Sequence, residues 1–394
     1  MTPLGVSDFT LVTALGHGRA ANWAALAEGR SGLVRAEFEG TTLGSWLGVV
    51  DGLDTLDWPE AFAAFDCRNN RLAELGLRSD GFAARAAQAA QRWGAERVGV
   101  FLGTSTSGIL QTERAYRRRD PASGALPADL HYPETHNTYS AARYLRTRLG
   151  LRGPAWVVST ACSSSAKVFA DAARLIGLGV IDAAVVGGVD SLCLTTLCGF
   201  HSLELLSTDV CRPWDAQRAG LSIGEAAAFA LLERDAAAPR ARLLGAGESS
   251  DGHHMSSPHP EGAGAVLAMR AALAQAGLAP EAIDYLNLHG TGTPNNDAAE
   301  DRAVDAVFGR ALPCSSTKGY TGHTLGAAGG VEAAVAMLAL EHGLAPAGLH
   351  VQTPDPALHV NYLREPLRRP LATVASNSFG FGGSNACLVF GAVQ

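Results

Sequence analysis

The sequence predicts an α/β fold, because short runs of β-forming residues alternate with Ala- and Leu-rich stretches that carry apolar residues at helical spacing. The predicted strands are residues 97–102, 154–159, 183–187, 284–288 and 386–390. The clearest predicted helices are residues 166–178 and 327–340. Strands that alternate with helices favour a sheet whose strands are buried and largely parallel.

An internal similarity is the third observation, and it suggests a duplicated unit. Thr160-Ala-Cys162 precedes the first of these helices, and Thr321-Gly-His323 precedes the second. In both segments a chemically reactive side chain lies two residues after a threonine, and the two side chains are 161 positions apart. Two segments this short can also be similar by chance, so duplication and coincidence both stay open at this point.

Composition narrows the class of protein. The chain has 394 residues, of which 47% are hydrophobic and 18% charged, so it can build a large core and is not a disordered chain. The formal net charge of −7 argues against a nucleic-acid-binding protein, which should be basic. Seven cysteines without a CxxC pair argue against a disulfide scaffold or a structural zinc site.

The location expected from the sequence is the cytoplasm. The N-terminus lacks a cationic segment followed by a long apolar stretch, so we expect no signal peptide. No apolar run approaches the roughly 18 residues that a membrane span needs. Reduced thiols fit the same compartment.

Cys162 is the first candidate for chemistry. It lies in residues 159–167, STACSSSAK, between a predicted strand and a predicted helix. A thiol at the N-terminus of a helix feels the positive end of the helix dipole, which favours the nucleophilic thiolate. Free cysteines are often simply small buried side chains, and that interpretation is about as strong here.

Two histidines and a lysine are further candidates. His289 ends a predicted strand and enters a turn that contains Gly290 and Gly292, so its side chain could project into a pocket. His323 precedes the second predicted helix, and Lys318 lies five residues upstream of it. The ordinary alternatives are satisfied core histidines and a solvated lysine.

A glycine-rich segment, residues 376–385, could present a backbone N–H to an oxyanion, or could be a plain tight turn. It is not a nucleotide-binding loop, because it lacks the lysine of a P-loop and no GxGxxG opens a helix in this sequence. His253, His254 and His259 lack the spacing and companion ligands of a known metal site, so we expect no metal.

Taken together, these segments resemble the elongating β-ketoacyl-acyl carrier protein synthases of the thiolase-like superfamily. The similarity follows the order of the family's motifs along nearly the whole chain. The matching segments are TACSSSA around Cys162, GGVDS at 187–191, RPWDAQRAGLSIGEAA at 212–227, SSDGHHMSSPHPEGAG at 249–264, HGTGTPNNDAAE at 289–300, SSTKGYTGHTLGAAGGVEAA at 315–334 and NSFGFGGSN at 377–385.

The resemblance implies a duplicated αβαβα five-layered fold, with residues 1–240 carrying the nucleophile and residues 241–394 carrying the histidines. It implies a catalytic set and its supporting residues. These are Cys162, His289 and His323 as the catalytic set, with Lys318; Glu332 as a support; Phe381, Gly382 and Gly383 as an oxyanion and gating loop; and Thr291 and Thr293 as contacts of the pantetheine arm.

The implied activity is condensation of an acyl group held on Cys162 with malonyl-acyl carrier protein, in fatty acid or polyene and polyketide elongation. No cofactor is implied beyond the phosphopantetheine of the carrier protein. The implied partners are an acyl carrier protein and either a second copy of the chain or a related synthase-like subunit.

The resemblance also suggests roles for individual groups. The backbone N–H groups of Cys162 and Phe381 are expected to hold the oxyanion. Lys318 is expected to orient or polarise His323, and Glu332 to hold the loop that carries Lys318. Because carrier proteins are acidic, Arg68 and Arg71 are predicted to guide docking, with residues 117–119 as the second choice.

The sequence departs from the family pattern at three places. Ser165 replaces a common glycine, residues 221–223 read Leu-Ser-Ile, and residues 103–108 read Gly-Thr-Ser-Thr-Ser-Gly. The last segment is more polar than usual beside the acyl pocket, which argues against ordinary long saturated chains. The segment DCRNNRL at 66–72 is similar to synthases found with aryl polyene pathways.

Three alternatives stay open on the sequence. The chain could be a thiolase-like acyltransferase that uses CoA esters, or it could belong to a heterodimer with a non-catalytic chain-length-factor subunit. A cysteine hydrolase would explain Cys162 and one histidine but would leave His323 or His289, and Lys318, without a role.

Overall fold

The structure is a computed structural model that describes residues 1–393. The strands are β1 Leu4–Thr13, β2 Gly16–His17, β3 Leu33–Arg35, β4 Trp46–Gly48, β5 Val98–Gly103, β6 Ala155–Val158, β7 Ala183–Asp190, β8 Ile223–Gly224, β9 Ala226–Glu233, β10 Ala241–Ser250, β11 Tyr285–Asn287, β12 Cys314–Ser315, β13 Leu344–Ala345, β14 Leu367–Arg368, β15 Thr373–Gly380 and β16 Ser384–Gly391. The α-helices are α1 Gly18–Glu28, α2 Arg68–Arg78, α3 Phe82–Trp93, α4 Ile109–Arg117, α5 Ser140–Arg148, α6 Ser164–Gly177, α7 Leu194–Ser202, α8 Ala263–Ala276, α9 Pro294–Phe308, α10 Lys318–Thr321 and α11 Ala328–His342.

The main sheet contains the same five-stranded unit twice. Its strand order is β12-β11-β15-β16-β10-β1-β9-β7-β5-β6, and β1 pairs with β10 where the two units meet. Numbered within each unit in chain order, both units read 3-2-4-5-1 from the outer edge inward. Their pairing is also the same, with three parallel strands at the edge and antiparallel pairing toward the junction. The predicted duplication is therefore confirmed.

The helices form three layers around these two units. Helices α6 and α11 pack against each other and touch strands of both units, while α2, α3 and α5 cover the outside of the first unit. Helix α8 packs on β10 and β16, and α9 packs on α8. Residues 328–340 of α11 are all buried, as expected of a helix enclosed between two sheet layers. This arrangement confirms the predicted αβαβα fold.

The repeat has a different offset from the one the sequence suggested. Both central helices begin after one turn of 3₁₀ helix, at Ala161–Ser163 and Leu325–Ala327. The first residue of each turn has a positive φ, 52° at Ala161 and 54° at Leu325. The two units are therefore 164 residues apart here, which makes Gly326 the counterpart of Cys162. The proposed correspondence between Cys162 and His323 is wrong in register, although the duplication behind it is real.

The division after residue 240 stays a proposal. It is supported by the positions of the strands that flank it, since β9 ends at Glu233 and β10 begins at Ala241. The bounds of the predicted strands and helices lie within three residues of the observed bounds. Across residues 1–393, no helix combines the length and hydropathy that crossing a bilayer would require.

The candidate residues follow strands in the parallel parts of the two units. Cys162 follows β6, His289 follows β11, Lys318 follows β12 and Phe381 follows β15. Each residue therefore lies beyond the carboxyl end of its strand, which is where ligands bind in α/β sheets. The two units meet at these turns, because residues 161–163 pack against β15 and against residues 325–327.

Close packing between β5 and α6 fixes the position of the turn that carries Cys162. A Cβ added at Gly103 would lie 2.2 Å from the backbone nitrogen of Ser165. We expect Gly103→Ala to lower the free energy of unfolding by about 1–3 kcal/mol, because the overlap is with backbone that cannot rotate away. Urea unfolding measures this.

Gly177 supplies the matched control, since it lies at the other end of α6 and a Cβ there meets no atom within 4 Å. Gly177→Ala should leave stability unchanged or slightly raised. Equal stability of the two variants would contradict the packing argument.

Candidate active site

Three side chains from distant parts of the chain meet in one buried cluster. One ligand-type atom from each of Cys162, His289 and His323 lies within 4.8 Å of the other two. Cys162 is 5% exposed, His289 2% and His323 1%. The cluster joins the two halves of the fold, because the cysteine belongs to the first unit and both histidines to the second.

The thiol and the second histidine are in direct contact. His323 Nε2 lies 2.8 Å from Cys162 Sγ. Among the described residues, His323 Nδ1 has no hydrogen-bond partner. No contact at Nδ1 therefore fixes which of the two ring nitrogens carries the proton. The ring can therefore accept a proton from the thiol at Nε2 or present an N–H there.

The first histidine is held in one tautomer. Lys318 Nζ lies 3.3 Å from His289 Nδ1 and also donates to the backbone carbonyl of His289. An ammonium group has only donors, so Nδ1 must be the acceptor and the proton of a neutral ring must be on Nε2. His289 thereby offers an N–H donor. Its ring lies edge-on to that of His323, with centroids 5.3 Å apart.

The partner of Lys318 corrects one expectation from the sequence. Lys318 was expected to act on His323, but its ammonium group contacts His289 and the carboxylate of Glu332. Both Lys318 and Glu332 are buried, at 1% and 2% exposure. Glu332 comes from α11, and its other oxygen accepts a hydrogen bond from Ser378 Oγ at 3.4 Å. Glu332 thus contacts Lys318, as the sequence had suggested.

Burial sets the charges in the cluster. Burial, reinforced by the charge of Lys318, holds the pKa of both His289 and His323 well below the ordinary 6.5. Both rings are therefore neutral at neutral pH. Burial also raises the pKa of Cys162 to about 12, although Lys318 and the backbone N–H of Phe381 act in the opposite direction.

The raised pKa of Cys162 corrects a second expectation. The start of α6 was expected to favour a thiolate, but in the closed site burial outweighs that effect and the sulfur is a thiol. A proton acceptor is needed to activate it, and His323 Nε2 is in the right place.

A cavity of about 370 Å³ leads to the cluster. Cys162, His289 and His323 lie along it, together with Thr291, Thr293 and the predicted gating loop of Phe381, Gly382 and Gly383. Within this wall, Thr291 Oγ1 lies 2.9 Å from Thr293 Oγ1. The Phe381 ring packs on Phe200 with centroids 5.5 Å apart. The cavity therefore runs past polar hydroxyls to the thiol.

Two buried carboxylates that the sequence argument did not single out shape the loop of His289. Glu300 on α9 accepts hydrogen bonds from the backbone N–H of His289 at 2.8 Å and of Gly290 at 2.7 Å. Asp297 accepts from the N–H of Gly292 at 3.2 Å. Burial raises the pKa of Glu300 to about 7 and that of Asp297 to about 6. Acidic residues at this spacing after a Gly-rich turn are the signal that could have identified them.

The hydroxyls of the polar segment after β5 bind a buried carboxylate, and residues 104–106 are not part of the wall of the cavity at Cys162. The hydroxyls of Thr104, Ser105 and Thr106 donate to the carboxylate of Asp190 at 2.5, 2.5 and 2.9 Å. Because these hydroxyls are satisfied inside the protein, they give no argument against a long saturated acyl chain.

The two arginines predicted to dock a carrier protein are engaged in the protein itself. Arg68 is 9% exposed, and its Nε and one terminal nitrogen donate to Glu225, which is fully buried. Arg71 binds both oxygens of Asp66 and the carbonyl of Leu53. We withdraw Arg68 as a docking residue, because its guanidinium is buried against Glu225. Arg71 keeps 22% exposure.

Cysteine and histidine are also zinc ligands, so the cluster must be weighed as a metal centre. Two histidines and one cysteine would supply three of the four ligands of a catalytic zinc site. The ammonium group of Lys318 beside His289 argues against a cation at this position, because it adds a positive charge next to one ligand. The donor set fits acyl chemistry better than zinc.

Comparison with known proteins identifies the family. The model of the β-ketoacyl synthase N-terminal domain matches residues 8–238, and that of the β-ketoacyl synthase C-terminal domain matches residues 240–352. The chain therefore belongs to the β-ketoacyl synthase family. Like the curated relatives described next, it is a condensing enzyme of the acyltransferase class.

Relatives and solved structures agree with this assignment. The mitochondrial 3-oxoacyl-[acyl-carrier-protein] synthase of Arabidopsis thaliana is 39% identical over 327 residues, 76% of this chain and 69% of the relative. The 3-oxoacyl-[acyl-carrier-protein] synthase 2 of Vibrio cholerae is 32% identical over 417 residues, 98% of both chains.

Among solved structures, a ketosynthase (ApeO) in complex with its chain length factor (ApeC) from Xenorhabdus doucetiae matches with a TM-score of 0.90 and 37% identity over 99% of this chain and 98% of that one. The ishigamide ketosynthase/chain length factor matches with a TM-score of 0.90 and 26% identity over 100% and 99%.

The neutral histidines predict a specific pH dependence of stability. Below pH 6.5 the unfolded chain binds protons at His289 and His323 that the folded chain does not bind, so stability falls as the pH falls. Each ring should contribute a slope of up to about 1.4 kcal/mol per pH unit. Denaturant unfolding between pH 5 and 7 should show a smaller slope for His289→Asn and for His323→Asn than for the parent.

The exposed His254 is the control for this measurement, and His254→Asn should keep the parental slope. Parental slopes in both buried-site variants would mean that the rings are protonated in the folded protein.

Because Arg68 is buried against Glu225, we expect its replacement to lower the stability of the protein and not to act on carrier-protein docking. Arg68→Ala would leave Glu225 buried without its charge partner, which should cost about 3–5 kcal/mol in unfolding free energy. Arg30→Ala removes an exposed pair with Glu28 and should cost less than about 1 kcal/mol. An Arg68→Ala variant of parental stability with a raised KM for carrier protein would reverse this assignment.

Proposed function

We propose that this chain transfers an acyl group from an acyl carrier protein to Cys162 and condenses it with malonyl-acyl carrier protein to form a β-ketoacyl product. The observation that carries the proposal is the buried cluster in which one thiol lies against one histidine while a lysine holds the other in its Nε2–H form. The named relatives are synthases of carrier-bound 3-oxoacyl groups, which supports the same substrate class.

In the first half-reaction, Cys162 attacks the thioester of the acyl-carrier protein. His323 Nε2 takes the thiol proton and passes it to the departing pantetheine thiolate. A bond forms between the sulfur of Cys162 and the acyl carbon, and the bond to the carrier's sulfur breaks. The N–H of Phe381, which lines the cavity together with Cys162, and the N–H of Cys162 are the proposed oxyanion donors.

In the second half-reaction, malonyl-carrier protein loses CO₂ and its electron pair moves to an enolate. We assign the Nε2–H groups of His289 and His323 as donors to the enolate oxygen. His323 is here in the opposite tautomer from the first half-reaction, and its Nδ1, which has no partner among the described residues, permits both. Two neutral donors stabilise one developing charge without placing a net cation on either ring. The enolate carbon then attacks the acyl carbon, the bond to Cys162 breaks, and the thiolate takes up one proton from solvent, which is the proton that the overall reaction consumes.

Lys318 and Glu332 are proposed as supports of this second step. The ammonium group keeps His289 Nδ1 an acceptor, and Glu332 balances its charge inside the protein. Neither group then needs to exchange a proton with the substrate. Phosphopantetheine is the only prosthetic arm the proposal needs, and Thr291 and Thr293 lie along its route through the cavity.

A carrier protein is proposed to dock at the mouth of the cavity. Leu203 lies there with half of its surface exposed, and Met255, whose carbonyl accepts a hydrogen bond from Gly382 N–H, is 79% exposed. Arg71 stays a candidate contact through its exposed fraction. Charge reversal at Arg71 should raise the KM for the carrier protein if it takes part in docking.

We propose that the chain acts as the catalytic member of a dimer. Its complete set of Cys162, His289, His323 and Lys318 argues against a non-catalytic subunit. The likeness to two ketosynthase/chain length factor assemblies supports a heterodimer, and a pair of identical chains is the alternative. Native mass spectrometry after expression with and without a synthase-like partner chain distinguishes the two.

The pathway proposed is cytoplasmic chain elongation, with an aryl polyene product suggested by residues 66–72. A CoA-dependent acyltransferase is the competing activity. Offering the same acyl groups on CoA and on carrier protein separates them, because the proposal requires the carrier-bound form to be strongly preferred.

The direct test of the nucleophile is mass spectrometry of the protein after incubation with a panel of acyl-carrier proteins. We expect the parent to gain an acyl group on the peptide that contains Cys162, and Cys162→Ala to gain none. Cys198→Ala, which removes an exposed cysteine, is the control and should acylate normally. Acylation of the Cys162→Ala protein would refute the assignment.

The enolate role is tested separately by decarboxylation of malonyl-carrier protein in a Cys162→Gln background, which cannot be acylated. Adding His289→Ala or His323→Ala should each lower the rate by about 100-fold or more, as when a preorganised donor is lost. If both double variants decarboxylate at the rate of Cys162→Gln alone, the histidines do not stabilise the enolate.

A further inference from the structure

Asp190 is a buried carboxylate that the reaction described above does not use. It is the last residue of β7 and is fully buried. Within residues 1–393 no lysine, arginine or histidine forms an ion pair with it. A buried charge without a counter-ion must be stabilised by hydrogen bonds, and its partners then become fixed in position.

The donors to Asp190 come from both halves of the fold. From the first half, the backbone N–H groups of Ser105 and Thr106 donate at 2.8 and 2.9 Å, and the three hydroxyls of residues 104–106 add to them. From the second half, the N–H of Gly326 donates at 2.5 Å. A Cβ at Gly326 would lie 2.8 Å from the carboxylate, so only a glycine allows this approach.

A second link of the same kind lies one turn further along. The N–H of Gly330, in the first turn of α11, donates to Ser165 Oγ of α6 at 2.8 Å. The N–H groups in the first turn of a helix have no partner within the helix. Here the acceptor comes from the opposite half, and it belongs to the helix that follows Cys162. Ser165 is also one of the positions where this sequence departs from its family's common glycine.

Both links bear on the contact between the thiol and the imidazole. Gly326 lies three residues after His323, and Ser165 lies three residues after Cys162. The 2.8 Å contact between His323 Nε2 and Cys162 Sγ spans the same junction. A shift of the turn at residues 324–327 relative to α6 would therefore change this distance first.

We propose that Asp190 and Ser165 are positioning residues that clamp the start of α11 to the first half of the fold and so set the distance between His323 and Cys162. The inference rests on the proposed function, in which Cys162 is the nucleophile and His323 its proton acceptor. Asp190 also affects the reactivity of Cys162 through its charge, and this effect opposes that of the clamp. Besides burial, its negative charge raises the pKa of Cys162, so loss of the charge alone should make the thiol more reactive.

The positioning effect and the charge effect of Asp190 predict opposite changes in the reactivity of Cys162, so one variant distinguishes them. In Asp190→Asn one oxygen becomes an NH₂ group that faces N–H donors, so the clamp should open. We expect kcat for condensation to fall by roughly 10- to 100-fold, as when a catalytic group is misplaced by about 1 Å. KM for malonyl-carrier protein should stay within about twofold. Alkylation of Cys162 by iodoacetamide, followed by peptide mapping, should be slower than in the parent.

Ser165→Ala removes one link without changing any charge. We expect kcat to fall about fivefold, the effect of one lost hydrogen bond, at an unchanged KM. Asp305→Asn and Thr147→Ala, which change one partly buried and one exposed side chain away from the site, are the matched controls and should behave as the parent.

Each outcome has one meaning. Faster alkylation of Asp190→Asn with parental kcat would show an effect of charge alone and would overturn the proposal. A lower melting temperature with parental kcat would show a merely structural role and would also overturn it. Should Asp190→Asn fail to fold, Ser165→Ala decides, because parental kcat in that variant rejects the clamp.

Failure of the proposed function gives a different result. In that case the parent itself would not acylate on Cys162. Normal acylation of the parent together with parental behaviour of both clamp variants would remove the clamp alone.

Discussion

The contact between Cys162 and His323 is the interaction on which the rest of the site depends. It joins the two halves of a duplicated sheet, so it exists only when both halves are folded and docked through α6 and α11. Residues 162, 289 and 323 meet although they are far apart in sequence, because the turn that carries Cys162 packs against β15 and against residues 325–327 of the other half. The contact places the proposed nucleophile and its proposed proton acceptor, which come from separate units, 2.8 Å apart.

Exclusion of water is the second constraint, and it explains the charges around the site. Burial keeps the thiol protonated and both rings neutral, so the site offers donors to a developing oxyanion without a permanent cation on either imidazole. Among residues 1–393, Lys318 is the one buried cation beside the cluster, and Glu332 compensates it. A buried ion pair is a weak source of stability, so its value here lies in holding His289 in one tautomer.

Much of the fold, and the side chains that meet in the buried cluster, could be predicted from the sequence, because their signals are local. Strand runs, the positions of Cys162 and the histidines before helices or turns, and ordered motifs all lie within short segments. The errors concern partners that only the folded chain brings together. Lys318 lies five residues from His323 in sequence, yet it contacts His289. Arg68 looks like a surface cation, yet Glu225, distant in sequence, buries it.

Two buried acidic residues were missed for the same reason, since their partners too are brought together only by folding. Asp190 and Glu300 are ordinary acidic residues until the structure shows how many backbone N–H groups they accept. The hydroxyls of residues 104–106 suggested a polar acyl pocket, and only the position of Asp190 shows that they are already satisfied. Hydrogen-bond partners of buried polar groups are set by tertiary structure, and spacing along the chain does not reveal them.

The thiol of the first half lies within hydrogen-bonding distance of His323 and within 4.8 Å of a ring nitrogen of His289, both from the second half. Cross-linking with 1,3-dibromoacetone, which joins a thiol to an imidazole in the same site, measures this proximity in solution. We expect one dominant cross-linked peptide pair, with Cys162 joined to His323 or His289. If the reagent modifies Cys162 but joins it to neither histidine, the three side chains do not share one site.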